Sequence, residues 1–251
     1  RKMKTFSLIN KKGGVGKTTI TVNLAYALAE SCDLRVLVID NDDQGNDTQF
    51  FGIEEGRTLA DILLQKAGLS EVIQHTRYPK IDIVPSSEAL LDANVVIIKD
   101  EDIVQQNILR EAMQEVEEQY DICLIDNPPT INASVINALV ASDEVIIISS
   151  PDKYSIRGAK QMLGYIEGIK EYNPGLRYRG CLLNKYNRTW HGMNMVQDLN
   201  AISPVFNQRI RYTKDKLEAS AAKGECIFEY SPNCGFAQDL KHFLTELLMG
   251  E

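Results

Sequence analysis

Long apolar runs, cysteine pairs at metal-binding spacing, linker-like tracts and any excess of basic charge are missing from this 251-residue chain. No hydrophobic stretch approaches the roughly 18 residues of a membrane span, and no signal-peptide-like apolar segment stands at the start. The chain therefore reads as a cytoplasmic protein with no membrane partner. Cys32, Cys123, Cys181, Cys226 and Cys234 are scattered, several within apolar runs, and none forms C-x-x-C, so they read as buried thiols rather than metal ligands. The three histidines are equally dispersed. Without repeats, low-complexity tracts or a Gly/Ser/Pro linker, residues 1–251 fit one domain, large for a single core. Acidic residues outnumber basic ones by 35 to 27, a net charge of −8. Spread evenly, that balance opposes extensive nucleic-acid binding, whose affinity rests on neutralising phosphates.

What is present is a succession of short apolar runs, at 4–10, 35–40, 80–85, 121–126, 144–149 and 178–184, alternating with helical stretches. Runs that are apolar throughout suit strands buried on both faces. The predicted fold is α/β, a doubly wound, mostly parallel sheet flanked by helices. Residues 57–118 are expected to be mostly helical around the strand at 80–85, with an exposed amphipathic helix over 101–119. The segment 236–248 carries one lysine and two acids and is expected to be a packed terminal helix, not a basic membrane-surface one.

Residues 11–19 read Lys-Lys-Gly-Gly-Val-Gly-Lys-Thr-Thr, between the first strand-like run and a segment with Ile20, Leu24, Ala27 and Leu28 on one helical face. Gly13, Gly14 and Gly16 allow backbone N–H groups, including that of Val15, to converge on phosphate oxygens. The helix start at Lys17, Thr18 and Thr19 adds its N–H groups and positive dipole end. In that arrangement Lys17 reaches the β/γ oxygens and the Thr18 hydroxyl binds Mg²⁺. The ordinary pattern G-x-x-x-x-G-K-[ST] is violated, because Lys11 occupies its first glycine position and Lys12 precedes the glycines. What remains resembles the deviant Walker A box of the ParA/MinD family of dimerising P-loop ATPases.

Two further runs end in acids, as strands do whose carboxyl ends face a ligand crevice. Arg35 to Asp40 leads into Asn41-Asp42-Asp43-Gln44-Gly45-Asn46, similar to the family stretch D-x-D-P-Q-G-N with Asp43 in place of proline. That replacement removes an X-Pro constraint, so a looser segment is expected. Tyr120 to Asp126 leads into Asn127-Pro128-Pro129, similar to the family's D-x-P-P. The resemblance implies that Asp42 orients or deprotonates the attacking water, while Asp40 and Asp126 join Thr18 around Mg²⁺, partly through water. Asn184, in Asn184-Lys-Tyr-Asn187, is the candidate for contacting the base, and a turn asparagine is the alternative. Asn187, an amide where the guanine-reading motif has a carboxylate, favours ATP over GTP.

The resemblance also implies a homodimer formed on ATP binding, with Lys12 reaching the partner's nucleotide. It implies weak intrinsic ATP hydrolysis, because no arginine finger can be assigned within the chain. For a small Soj-like ParA, the further implications are plasmid or chromosome partition, non-specific binding of double-stranded DNA, stimulation by a ParB-type adaptor and association with the nucleoid when ATP-bound. Arg188, Arg211, Lys214 and Lys216 are the candidate DNA contacts; an ordinary solvated basic face is the alternative. Because the first strand begins by about residue 4, no helix-turn-helix extension is expected. A ParA-like ATPase positioning a protein cargo and a MinD-like cell-division regulator remain as alternatives. A nitrogenase-reductase-like reading lacks suitably placed cysteines, and a dethiobiotin-synthetase-like ligase would not explain Lys12.

Overall fold

The computed structural model describes residues 2–99, 105–152 and 155–249. Each motif-bearing run is a strand: β1 (Lys4–Ile9), β2 (Val36–Asp40), β5 (Ile122–Asp126) and β6 (Glu144–Ser149). With β3 (Gln74–His75), β4 (Ile81–Val84) and β7 (Arg177–Leu183) they form a sheet of order β3-β4-β2-β5-β1-β6-β7. Every pairing is parallel except β3 with β4. The edge strand β3 has only two residues and no apolar run, so nothing in the pattern announces it.

Alternation inside the apolar runs builds two cores. Phe6, Leu8, Val36, Val38, Leu124 and Ile146 face α1 (Lys17–Cys32) and α12 (Gly235–Met249), meeting Ile20, Leu24, Phe236 and Phe243. Their sequence neighbours Leu37, Ile39, Cys123 and Ile125 face the opposite layer. That layer contains α3 (Leu59–Leu63), α5 (Ala89–Lys99), α6 (Ile108–Met113) and α7 (Ala133–Ala141), and α8 (Ser155–Ile169) extends it beyond α7. The short α2 (Asn46–Phe50) and α4 (Leu69–Val72) complete the first half, and α9 (Trp190–Asn200), α10 (Lys214–Ala222) and α11 (Ile227–Tyr230) the second.

The exposed helix expected over 101–119 is corrected. Its first residues, 101–104, lie outside the described set, and 108–113 is a short helix whose Ile108, Leu109 and Met113 are buried, followed by a 3-10 turn at Gln114–Val116. The Asn137 side chain accepts the Leu109 N–H at 3.2 Å and ties this helix to α7. The acidic residues around it had suggested exposure, but packing against α7 decides which face is covered. The terminal helix is packed as expected, with Phe236, Leu240, Phe243 and Leu247 buried. Cys123, Cys181, Cys226 and Cys234 are buried free thiols, and Cys32 is half-buried. No described helix is long and apolar enough to cross a membrane.

Glu144, fully buried at the start of β6, accepts from Arg177 at 2.7 Å and from Arg179 at 3.2 Å, and Lys4 lies 3.3 Å away. It neutralises three cations on the two flanking strands. Removing one member of a buried ion network leaves the others uncompensated. Glu144→Ala is therefore expected to lower unfolding free energy by about 3–5 kcal/mol. Denaturant unfolding checks this; a loss under about 1 kcal/mol would mean that solvent screens the network.

Candidate active site

The carboxyl ends of β1, β2 and β5 meet at one edge of the sheet, and parallel register sets Asp40 directly beside Asp126. Two strand-ending acids 86 positions apart in sequence thus become neighbours. The loop after β1 arches over them. Gly14 and Gly16 adopt φ of 72° and 93°, in the left-handed region that favours glycine. At Gly16 a side chain has no room, since a Cβ would stand 2.3 Å from the Asn184 amide nitrogen.

Beneath the loop, Lys17 is buried and the Thr18 hydroxyl donates to Asp126 Oδ2 at 2.5 Å. Burial pushes the Lys17 pKa down, while Asp126 and Asp42 act to raise it. Asp40 holds the turn that follows it: Oδ1 accepts the Asp42 N–H at 3.2 Å, and Oδ2 accepts both the N–H and hydroxyl of Thr48, at 2.9 and 2.7 Å. Burial nevertheless pushes its carboxyl up to about 6. The Asp126 carboxyl is also pushed upward, by burial first and further by Asp40 and Asp42, against the Thr18 bond and Lys17. Among the described residues Asp126 Oδ1 has no hydrogen-bond partner. So many acids beside an anionic polyphosphate require a cation there. An unpartnered buried carboxyl oxygen next to the Thr18 hydroxyl fits water on a divalent ion, which Thr18, Asp40 and Asp126 would hold.

Asp42 and Asp43 are half-buried and line a cavity of about 870 Å³ together with Gly13, Lys17, Thr18 and Thr19. That size lies within the range of small-molecule sites. Although proline is absent at Asp43, the turn is closed by Gly45 N–H to Asp42 O at 2.9 Å and by Gln44 N–H to Asp42 Oδ1 at 3.1 Å. The Asp43 carboxylate is itself occupied, accepting from Gln44 Nε2 at 2.7 Å. Pro128 and Pro129 line the same cavity.

Lys12 stands apart from this cavity. Its side chain is half-exposed, and its Nζ lies 2.6 Å from Asp152 Oδ2 on the loop after β6. A smaller hollow joins them with Ser150, Asn187 and Tyr212.

Asn184 does not line the phosphate cavity. It is buried under the loop, where its amide donates to Val15 O at 2.8 Å and supports the backbone. The far wall comes instead from Lys185, Leu217, Ser220 and Ala221, facing Val22 and Phe50. Lys185 donates to Gly14 O at 2.7 Å. Sequence reading missed this wall because α10 carries no motif; it belongs to the site only through the turn of chain between β7 and α12. Asn127 was missed too, although it directly follows Asp126. Its buried amide accepts from Asn41 at 2.8 Å and donates to Leu8 O at 3.2 Å, locking the ends of β1, β2 and β5.

A family model described as an AAA domain matches residues 3–178, which contain the loop and all three acids. A ParA family protein of Chlamydia pneumoniae is 30% identical over 253 residues, covering 98% of each chain. This chain belongs to the ParA/MinD family of P-loop ATPases. The sporulation initiation inhibitor protein Soj of Bacillus subtilis (strain 168) is 32% identical over 238 residues, 91% of this chain and 92% of Soj. In three dimensions, a cobyrinic acid a,c-diamide synthase from Mycobacterium smegmatis, solved with an ATP analogue and magnesium, superposes with a TM-score of 0.85 at 25% identity, covering 98% of this chain and 94% of that one.

The basic segments of the ParA-like chain converge. A bridge between Tyr186 and Arg211 lays the loop after β7 beside the strand-like stretch before α10. Arg188 is exposed on that loop. Arg211 is clamped by Asp239 of α12, through Nε to Oδ2 at 2.8 Å and Nη2 to Oδ1 at 2.9 Å. Lys214 pairs with Glu218 at 3.6 Å, and Lys216 donates to Ser231 at 3.1 Å.

Proposed function

We propose that this chain is a ParA-type partition ATPase, a single ATPase domain that switches between monomer and ATP-bound sandwich homodimer. The carrying observation is the contrast between Lys17 and Lys12 of the loop. Lys17 is buried in its own cavity, whereas the Lys12 side chain sits outside it, half-exposed and paired with Asp152. A lysine so placed is suited to a nucleotide on a facing chain, where it offsets the repulsion of two anionic sites. Bound Mg²⁺ supplies the remaining positive charge on the phosphate oxygens. Asp42, half-buried at the cavity wall and anchored by its own turn, orients or deprotonates the attacking water. No arginine of this chain lines the cavity among the described residues, which supports weak intrinsic turnover stimulated by a partner's basic segment.

In this reading the dimer joins two basic surfaces and gains affinity for non-specific duplex DNA by effective concentration. A ParB-type adaptor triggers hydrolysis and release. Of the candidate contacts, Arg188 carries the DNA assignment best, since Arg211 is engaged by Asp239. DNA retention is measured with ADP, with ATP–Mg²⁺ and with a non-hydrolysable analogue across a salt series. Binding confined to the ATP states, with Arg188→Glu about tenfold or more weaker and the salt slope flatter by roughly 2 per dimer, is the expected result. ATP-dependent dimers that ignore DNA would instead favour positioning of a protein cargo, a reading with which the net charge of −8 agrees.

A further inference from the structure

Asp47 lies one residue beyond the matched acidic stretch, and the fold gives it no partner. It stands in the first turn of α2, wholly inaccessible to solvent. Among the described residues, neither of its carboxyl oxygens has a hydrogen-bond donor. Its neighbour Thr48 gives both its N–H and its hydroxyl to Asp40 Oδ2, which sets this turn of α2 against the acids of the site, and the charges of Asp126, Asp40 and Asp42 all act on Asp47. Asp40 differs, because both its oxygens accept bonds from the turn. Three buried carboxyl oxygens are thus left over around the site: Asp126 Oδ1 and both of Asp47.

An acid buried without a donor costs several kcal/mol, which a fold tolerates where a ligand supplies the missing donors. Lys17 does not supply them; its electrostatic partners are Asp126 and Asp42. Direct chelation is not the answer either, since no three acids among the described residues converge closely enough to hold a metal ion by themselves. Metal-bound water meets both conditions, because it donates strongly and brings positive charge without requiring the carboxylates to touch the ion.

We propose that Asp47 is an outer-sphere ligand of the nucleotide-bound Mg²⁺, accepting hydrogen bonds from the ion's water shell alongside Asp126 Oδ1. It sets how tightly the site holds its metal and raises the dependence of nucleotide binding on Mg²⁺. The inference rests on the cavity being the ATP–Mg²⁺ site.

Calorimetric ADP binding by wild type, Asp47→Asn and Asp47→Ala, in EDTA and through a Mg²⁺ titration, tests it. Metal-free ADP is expected to bind both variants as well as it binds wild type, because Asp47 meets the nucleotide only through the ion's water. The Mg²⁺ concentration for half-maximal enhancement is expected to rise by about 10–100-fold, as when an outer-shell partner is lost. Unchanged metal-free binding beside a shifted Mg²⁺ midpoint separates this role from a folding defect, which would weaken both arms. Parallel loss in both arms, or an unchanged Mg²⁺ midpoint, would overturn the proposal. Wild type that binds no ADP at all would overturn the assignment of the cavity itself.

Discussion

Asp42→Ala is expected to lower the ATP turnover rate by about 10²–10⁴-fold, the usual contribution of a positioned general base or water-orienting group, while leaving ATP binding and dimer formation intact. The geometry separates these effects. Lys17, Thr18 and the loop glycines line the cavity from the α1 side, where the proposed function puts the phosphates, whereas Asp42 approaches from the β2 side. Its backbone is held by Asp40 and Gly45, whatever its side chain does. Alanine can therefore occupy the turn without loosening it, although the Gln44 N–H loses its acceptor on Oδ1. Single-turnover hydrolysis beside an ATP-dependent sizing experiment checks the expectation. Turnover within threefold of wild type would remove Asp42 from the chemistry, and loss of nucleotide affinity would make it part of the cradle instead.

Lys12→Ala is expected to raise the dissociation constant of the ATP-bound dimer by at least about 10³-fold, since truncating a desolvated charge contact costs about 2–5 kcal/mol and a twofold interface contains that contact twice. Binding of ATP to the monomer should stay near wild type because Lys12 lies outside its own chain's cavity. The pair with Asp152 has to open before Lys12 can cross. As half-exposed pairs are worth about 0–1 kcal/mol, Asp152→Asn is expected to change dimerisation by only a few-fold, in the favourable direction. Analytical ultracentrifugation with a non-hydrolysable ATP analogue reads both variants. A Lys12→Ala protein that dimerises normally would contradict the role across the interface.

Legibility followed the range of the interaction that fixes each feature. β1, β2 and β5 were readable because each is a local apolar run, β1 leading into the glycine loop and β2 and β5 ending in an acid, and α1 because its apolar spacing begins at the loop. β3 was not, since Gln74 and His75 are extended only through pairing with Ile83 and Asp82. Residues 108–116 looked like part of an exposed helix because their acids dominate the pattern, yet contact with α7 buries Ile108, Leu109 and Met113. Asn184, just past the end of β7, was expected to contact the base rather than to support the loop after β1. Its amide points beneath that loop to Val15, and spacing cannot reveal such a direction.

By itself the sequence determined the order of strand, phosphate loop and helix, the acids at the ends of two further strands, and the departure at Lys11 and Lys12 that marks the family. Those features are local: glycine freedom, alternation within a strand and the dipole of a helix start act over a few residues. Tertiary structure decided that Asp40 and Asp126 stand side by side, that Asp239 occupies Arg211, that α10 walls the cavity and that Asp47 is buried without a donor. The physical reason is common to all four. Burial and pairing are properties of surfaces brought together from distant parts of the chain, and the energy of a charge depends on what surrounds it more than on its neighbours in sequence.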